Sequence, residues 1–183
     1  LLIFDLVVTG FRVAPGGAQE LFGVTPDLAT YAKILAGGLP GGAVAGREEV
    51  LAGLVTPSPT EATSRHKIHH PGTFNANPVS AAAGVAMLSS IADGKAIQRA
   101  NAQAVALRHG MNESLAQEKI DWKVYGQHSD WKIFYGAEAP PRDGNDQAVD
   151  HLPWQRLDAR YAPQSQALRQ AMILHGIDFN GAR

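Results

Sequence analysis

Residues 1–4 form an unbroken apolar run, Leu1-Leu2-Ile3-Phe4, that stops at Asp5. A short run of this kind suits a strand covered on both faces, as in a parallel sheet. A loop rich in turn residues follows through Ala18, and a second turn, Gly23-Val24-Thr25-Pro26-Asp27-Leu28, leads to a short apolar run at 32–36 that encloses Lys33. Ala43-Val44-Ala45 reads as a short strand, residues 47–54 as a helical turn or two, and residues 56–64 as a loop. Asn77-Pro78 is a helix start, with Asn as the cap and Pro at the first helical position. The helix over 79–91 is interrupted at Asp93-Gly94, and another runs to about residue 117 with Ile97, Ala100, Ala104, Leu107, Met111 and Leu115 on one stripe.

From Asp121 the texture changes. Trp122-Lys123-Val124-Tyr125 and Trp131-Lys132-Ile133-Phe134-Tyr135 read as two strands around a turn at 126–130. Residues 139–161 are polar, proline-bearing and without period; residues 164–175 read as a helix, and Gly176-Ile177-Asp178-Phe179 as a further strand. The pattern predicts an α/β chain with two parts: residues 1–92, a sheet region, and residues 93–183, a connecting helix and a small α+β domain.

Composition narrows the classes. At 45% hydrophobic and 18% charged residues the chain is a folded one, and a net charge of −1 without a basic stripe argues against nucleic acid. There is no cysteine, which removes disulfides and thiolate catalysis and permits a reducing cytoplasm. No apolar run approaches the ~20 residues of a membrane span. The chain opens without Met inside a strand pattern, and it lacks the basic flank of a secretory signal; it reads as an internal fragment of a longer protein. His66, His69 and His70 lie close together, but without a neighbouring carboxylate they read as loop histidines, and no metal is expected. The sequon Asn112-Glu113-Ser114 falls mid-helix and is discounted. The glycine loop Gly37-Gly38-Leu39-Pro40-Gly41-Gly42 matches neither a Walker loop nor a dinucleotide fingerprint.

Two residues carry candidate chemistry. In open parallel sheets ligands gather at the carboxyl ends of strands, where Asp5 stands. Lys33 is a cation in apolar company; a snorkelling surface lysine and a capping or loop aspartate are the ordinary alternatives. Together they match what a pyridoxal phosphate enzyme needs: an amine to bind the cofactor aldehyde, and a carboxylate to keep the pyridine nitrogen protonated.

The surrounding residues sharpen this reading. Ile3-Phe4-Asp5-Leu6-Val7-Val8-Thr9-Gly10-Phe11-Arg12, then Gly16-Gly17-Ala18-Gln19, Gly23-Val24-Thr25-Pro26-Asp27-Leu28, Lys33-Ile34-Leu35-Ala36-Gly37-Gly38 and Pro71-Gly72-Thr73-Phe74-Asn75-Ala76-Asn77-Pro78 follow one another in order. This series resembles the class III aminotransferases, and within them the glutamate-1-semialdehyde 2,1-aminomutases, over about residues 1–92. The later part agrees more loosely, through Val124-Tyr125-Gly126 and the segment from His175 to Gly181. The resemblance implies a fold type I transferase fragment: the second half of the large α/β/α domain and part of the small α+β domain. It implies pyridoxal 5'-phosphate as cofactor, a small amino-acid-type substrate and a cytoplasmic homodimer of the full-length parent. Carried over, Lys33 would be the amine that binds the cofactor and shuttles a proton, and Asp5 the partner of the pyridinium. Val7 would pack on the ring face, and Thr73 would bind the phosphate, usually across a dimer interface.

The alternatives are a class III transaminase with a keto-acid acceptor, and a non-catalytic relative kept as a dimerisation module. Two departures stand out. The family places Glu directly after the aspartate, where this chain has Leu6, which removes a carboxylate beside Asp5 and bears on substrate handling. The family's upstream half, with its glycine/serine phosphate loop and ring-covering aromatic, is absent, so weak or no cofactor binding is expected of the 183 residues alone.

Overall fold

A computed structural model describes residues 1–54, 68–135 and 162–178. They divide into two compact units, residues 1–98 and 99–183, and the chain passes from one to the other within a single helix.

The first unit is built on a three-stranded sheet, β1 (Ile3–Asp5), β2 (Leu28–Tyr31) and β3 (Ala43–Gly46), in that order. β1 and β2 are parallel, joined by a crossover carrying the short helix α1 (Gly17–Phe22), with Ile3 beside Leu28 and Asp5 beside Thr30. β3 returns antiparallel to β2, so the sheet is mixed rather than purely parallel. This corrects the expectation of a strand buried on both faces: β1 lies at the edge of the order, and Leu1, Leu2 and Ile3 are exposed. Core packing begins one step later, at Leu6 (2% exposed), with Ala29 and Ala36. Residues 9–16 are turns and bends as the composition predicts, and only the last two residues of the predicted loop, Gly17 and Ala18, belong to α1; a left-handed cap at Gly23 (φ 64°) ends the helix after six residues.

Asp27 closes the far end of the sheet. Its carboxylate accepts from the Leu2 backbone N–H at 2.7 Å and from Arg47 Nη1 at 2.8 Å, and Arg47 also binds Glu49. The Leu2 N–H first, and then the Arg47 guanidinium, hold the Asp27 carboxyl below the usual aspartate range. Arg47 precedes the short α2 (Glu48–Leu51), which runs into a 3₁₀ turn at Ala52–Leu54.

Helix α3 (Pro78–Ile91) starts as the sequence predicts, the Asn77 side chain accepting from the N–H groups of Val79 and Ser80 at 2.9 and 3.2 Å. It is apolar on nearly every side, yet only Gly84 and Ile91 are buried. Helix α4 (Lys95–Gln117) follows. Its inward positions are Ile97, Asn101, Ala104, Arg108, Met111 and Leu115, whereas Ala100 and Leu107 are exposed. The predicted stripe was therefore wrong by a partial turn in its middle, because two polar residues, Asn101 and Arg108, occupy the inner line.

The second unit packs β4 (Lys123–Tyr125) antiparallel to β5 (Lys132–Phe134), with α5 (Ala162–Leu174) beside the same core. Val124, Ile133 and Tyr135 form its centre, packed on Met111, Leu115, Trp122, Trp131 and Leu168. The Trp122 ring meets Tyr135 edge-on at 4.9 Å. Arg108, 3% exposed, donates from Nη1 to the His128 and Asp130 carbonyls at 2.9 and 3.1 Å and so holds the hairpin turn. Asn112 donates to the Val124 carbonyl and accepts from its N–H, both at 2.8 Å, which engages the sequon asparagine in backbone pairing. Beyond α5 the chain turns at Gly176 (φ 79°), and 177–178 are not a strand, contrary to expectation; Phe179 lies outside the described residues. The predicted loop at 56–64 and the polar stretch at 139–161 also lie outside them. No helix among the described residues is long and apolar enough to cross a membrane.

Candidate active site at the sheet edge

Because β1 and β2 are parallel, their carboxyl ends open on one edge of the sheet. Asp5 is the last residue of β1, and its Oδ1 accepts the Val7 N–H at 3.0 Å. The same oxygen faces Thr30 Oγ1 at 3.4 Å, a longer and weaker contact. These contacts fix the carboxylate at the strand end, and among the described residues no donor reaches Oδ2. Val7, half-buried, begins the turn beyond the strand.

Lys33 lies three residues beyond Thr30, hence within about 11 Å of it along the chain even when fully extended. Ala32 before it is extended, and Lys33 opens a 3₁₀ turn, Lys33–Ala36. The Lys33 backbone is left-handed (φ 52°), a conformation that β-carbon sterics disfavour in any residue but glycine. Its side chain is exposed, and no described residue forms an ion pair with its amine. The same backbone recurs at Phe11, Ala76, Lys119 and His128, so it is the place of Lys33 just beyond the carboxyl end of β2 that sets it apart.

Three of the four residues singled out in the sequence thus lie at or just beyond the carboxyl ends of the parallel pair β1 and β2: Asp5, Val7 and Lys33. Thr73 does not join them. It stands exposed on the turn before α3, where Asn75 Nδ2 donates to the His70 carbonyl at 2.9 Å, and no described contact links it to the sheet edge. His69 and His70 are exposed in this loop, and His66 lies outside the described residues. No group of three metal-binding side chains occurs among the described residues. Beside this turn a hollow of about 750 Å³ is lined by Pro40, Gly41, Phe74, Asn77, Ser80 and Leu88, among others. None of the four predicted residues lines it.

Leu6 changes meaning here. Successive residues along an extended chain point to opposite sides, and Asp5 is exposed while Leu6 is 2% exposed. Leu6 is a core residue, so its replacement of the family's Glu does not strip a charge from the exposed side on which Asp5 lies. Two residues near the site escaped sequence reading. Thr30 reaches Asp5 only through the strand register. Tyr31 packs its ring 5.2 Å from that of Phe11 and ties the loop after β1 to the end of β2, two residues before Lys33. The run Thr30-Tyr31-Ala32-Lys33 offered a clue, since an alternating strand that aims Thr30 along the sheet face puts its register partner in reach.

The family description that matches residues 1–127 is Aminotransferase class-III. The protein called glutamate-1-semialdehyde 2,1-aminomutase from Methanococcoides burtonii is 42% identical over 136 residues, 74% of this chain and 30% of that one. The protein of that name from Methanocaldococcus jannaschii is 44% identical over 135 residues, again 74% and 30%. Among solved structures, an omega-transaminase from Sphaerobacter thermophilus superposes with a TM-score of 0.70 at 31% identity, over 96% of this chain and 36% of that one. A transaminase with PLP bound gives 0.58 at 32% identity, over 76% and 31%. The chain spans about 30% of the length of the curated relatives it matches.

Proposed function

The chain belongs to the class III aminotransferases, and from that premise we propose that it is part of a pyridoxal-phosphate-dependent enzyme that moves an amino group, a glutamate-1-semialdehyde 2,1-aminomutase. The observation that carries this reading is the placement of Asp5 at the carboxyl end of β1 and of Lys33 in the turn just beyond the carboxyl end of the parallel β2.

The residues fit the cofactor. Asp5, fixed through Oδ1, has a second oxygen available to accept from a protonated ring nitrogen. Lys33 offers an amine at the same edge. Bound pyridoxal phosphate supplies an electron sink for charge that develops on the substrate carbon. Asp5 would keep the ring nitrogen charged, and Lys33 Nζ would hold the aldehyde end at rest and carry a proton during turnover. Val7 forms an apolar wall beside them. Thr73, which no described contact ties to this edge, is assigned to the phosphate of a second copy's site. The apolar α3 beside it leaves Val79 and Val85 exposed, and a helix apolar on all sides calls for a covering partner. The parent protein is accordingly a cytoplasmic homodimer acting on a small amino-acid-type substrate.

The test is direct. The complete polypeptide is incubated with pyridoxal phosphate, reduced with borohydride and digested, and the pyridoxyl mass is sought on the peptide that contains Lys33. The adduct is expected there and absent from Lys33→Ala; an unlabelled Lys33 overturns the assignment. Turnover of glutamate-1-semialdehyde without a keto acid separates an aminomutase from a transaminase, which needs the second substrate.

A further inference from the structure

We infer that Gly84, in the middle of α3, is a positioning residue for Lys33: the side chain it lacks is the seat on which the lysine's 3₁₀ turn rests. The inference builds on the role assigned to Lys33 above.

Gly84 is buried within a helix whose other residues, save Ile91, are not. Glycine weakens a helix interior relative to alanine, so local propensity does not account for it. Its surroundings do. A β-carbon at position 84 would stand 2.9 Å from the Leu35 carbonyl oxygen and 3.9 Å from the Ala36 Cα. The approach is repeated from the other side: a β-carbon on Gly37 would stand 2.9 Å from the Ala83 carbonyl oxygen and 3.3 Å from the Met87 Cβ. Helix and turn therefore meet backbone to backbone at two points. No flexible side chain is available to give way at the Leu35 contact. Gly37 itself is left-handed (φ 61°), a second reason that only glycine suits it.

The turn held in this way starts with Lys33, whose φ of 52° is not one the residue adopts by preference. A strained residue persists only where its surroundings over-determine it. β2 fixes the chain up to Tyr31, and the helix contact fixes it from Leu35 onward. Lys33 is set between these two anchors. A methyl group at position 84 would displace the second anchor and so the amine, without touching the lysine.

The experiment uses the complete polypeptide with Gly84→Ala, and with Gly110→Ala as control, since a β-carbon at 110 in α4 meets nothing within 4 Å. Lysine amines are labelled with acetic anhydride across a pH series and quantified by peptide mass spectrometry, with Lys95 as the internal reference. In Gly84→Ala the Lys33 labelling rate is expected to change at least threefold and its pH profile to move, while Lys95 keeps its profile. Gly110→Ala should match the unaltered protein. In the cofactor arm, borohydride trapping of pyridoxal phosphate on Lys33 should slow at least tenfold. A folded Gly84→Ala protein with an unchanged Lys33 profile overturns the inference. If the unaltered protein forms no adduct on Lys33, the functional reading fails, and the labelling arm still decides the positioning role. Should Gly84→Ala fail to fold, amide exchange in the unaltered protein decides: residues 35–37 should open together with 83–87, and independent opening overturns the inference.

Discussion

Asn112→Ala isolates one backbone clamp in the second unit. Val124 is fully buried, and the Asn112 side chain satisfies both its N–H and its carbonyl at 2.8 Å. Removing the amide leaves two buried polar groups unpaired, at about 1–3 kcal/mol each. Alanine returns roughly 0.5 kcal/mol in helix propensity. The net loss is about 1.5–5.5 kcal/mol, a large share of the stability of a unit this size. All three tryptophans, Trp122, Trp131 and Trp154, follow residue 98 in the sequence, and Trp122 and Trp131 pack on the core of the second unit, so fluorescence in a urea titration of the 183-residue chain follows this unit. Exchange of the Val124 amide should accelerate in parallel. Asn112→Asp refines the test. Its ionised carboxylate would face the Val124 carbonyl, whereas its protonated form would donate to that carbonyl and accept from the N–H, as the amide does. The introduced carboxyl should therefore have a folded pKa above its unfolded value of ~3.9. The stability it contributes is present below that unfolded value and is lost as pH rises through the folded one. A loss below about 1 kcal/mol in Asn112→Ala, or a pH-independent Asn112→Asp, would refute the clamp.

Two further outcomes follow from the first unit. Asp27 has its pKa lowered by the Leu2 N–H and Arg47, so the stability it contributes is present above the unfolded aspartate value and declines as pH falls through the folded one. Asp27→Asn should flatten the acid limb of a stability–pH curve, and an unaltered limb would show that the carboxylate is not the sensor. Leu6→Glu would set a carboxyl in a site 2% exposed, with a cost of at least about 3 kcal/mol that grows as pH rises above ~4.3, measured by thermal melts. A variant as stable as the parent at pH 8 would mean that position 6 faces the site after all.

What the sequence disclosed, it disclosed through local chemistry. Asn77-Pro78 announced a helix because capping is decided within four residues, and the Trp-rich strands announced a hairpin because its turn is short. The order of motifs was enough to place the chain in its family. What stayed hidden depended on packing. The exposed β1 follows from strand order, and the inner place of Arg108 on α4 from partners that lie in a hairpin further along. Leu6 is the instructive case: a family comparison made it a missing charge, and only its burial showed it to be core. The left-handed Lys33 and the bare backbone of Gly84 have no periodic signature at all.

The crossover between β1 and β2 has a kinetic consequence. Asp5 and Lys33 are twenty-eight residues apart, and one short helix and one parallel pairing bring their strand ends together. Closing a loop of that length costs only about 3 kcal/mol of chain entropy. Such near-neighbour contacts form early relative to pairings across a whole sequence. The framework of β1, α1 and β2 can therefore assemble as a nucleus of its own, ahead of pairings further along the chain.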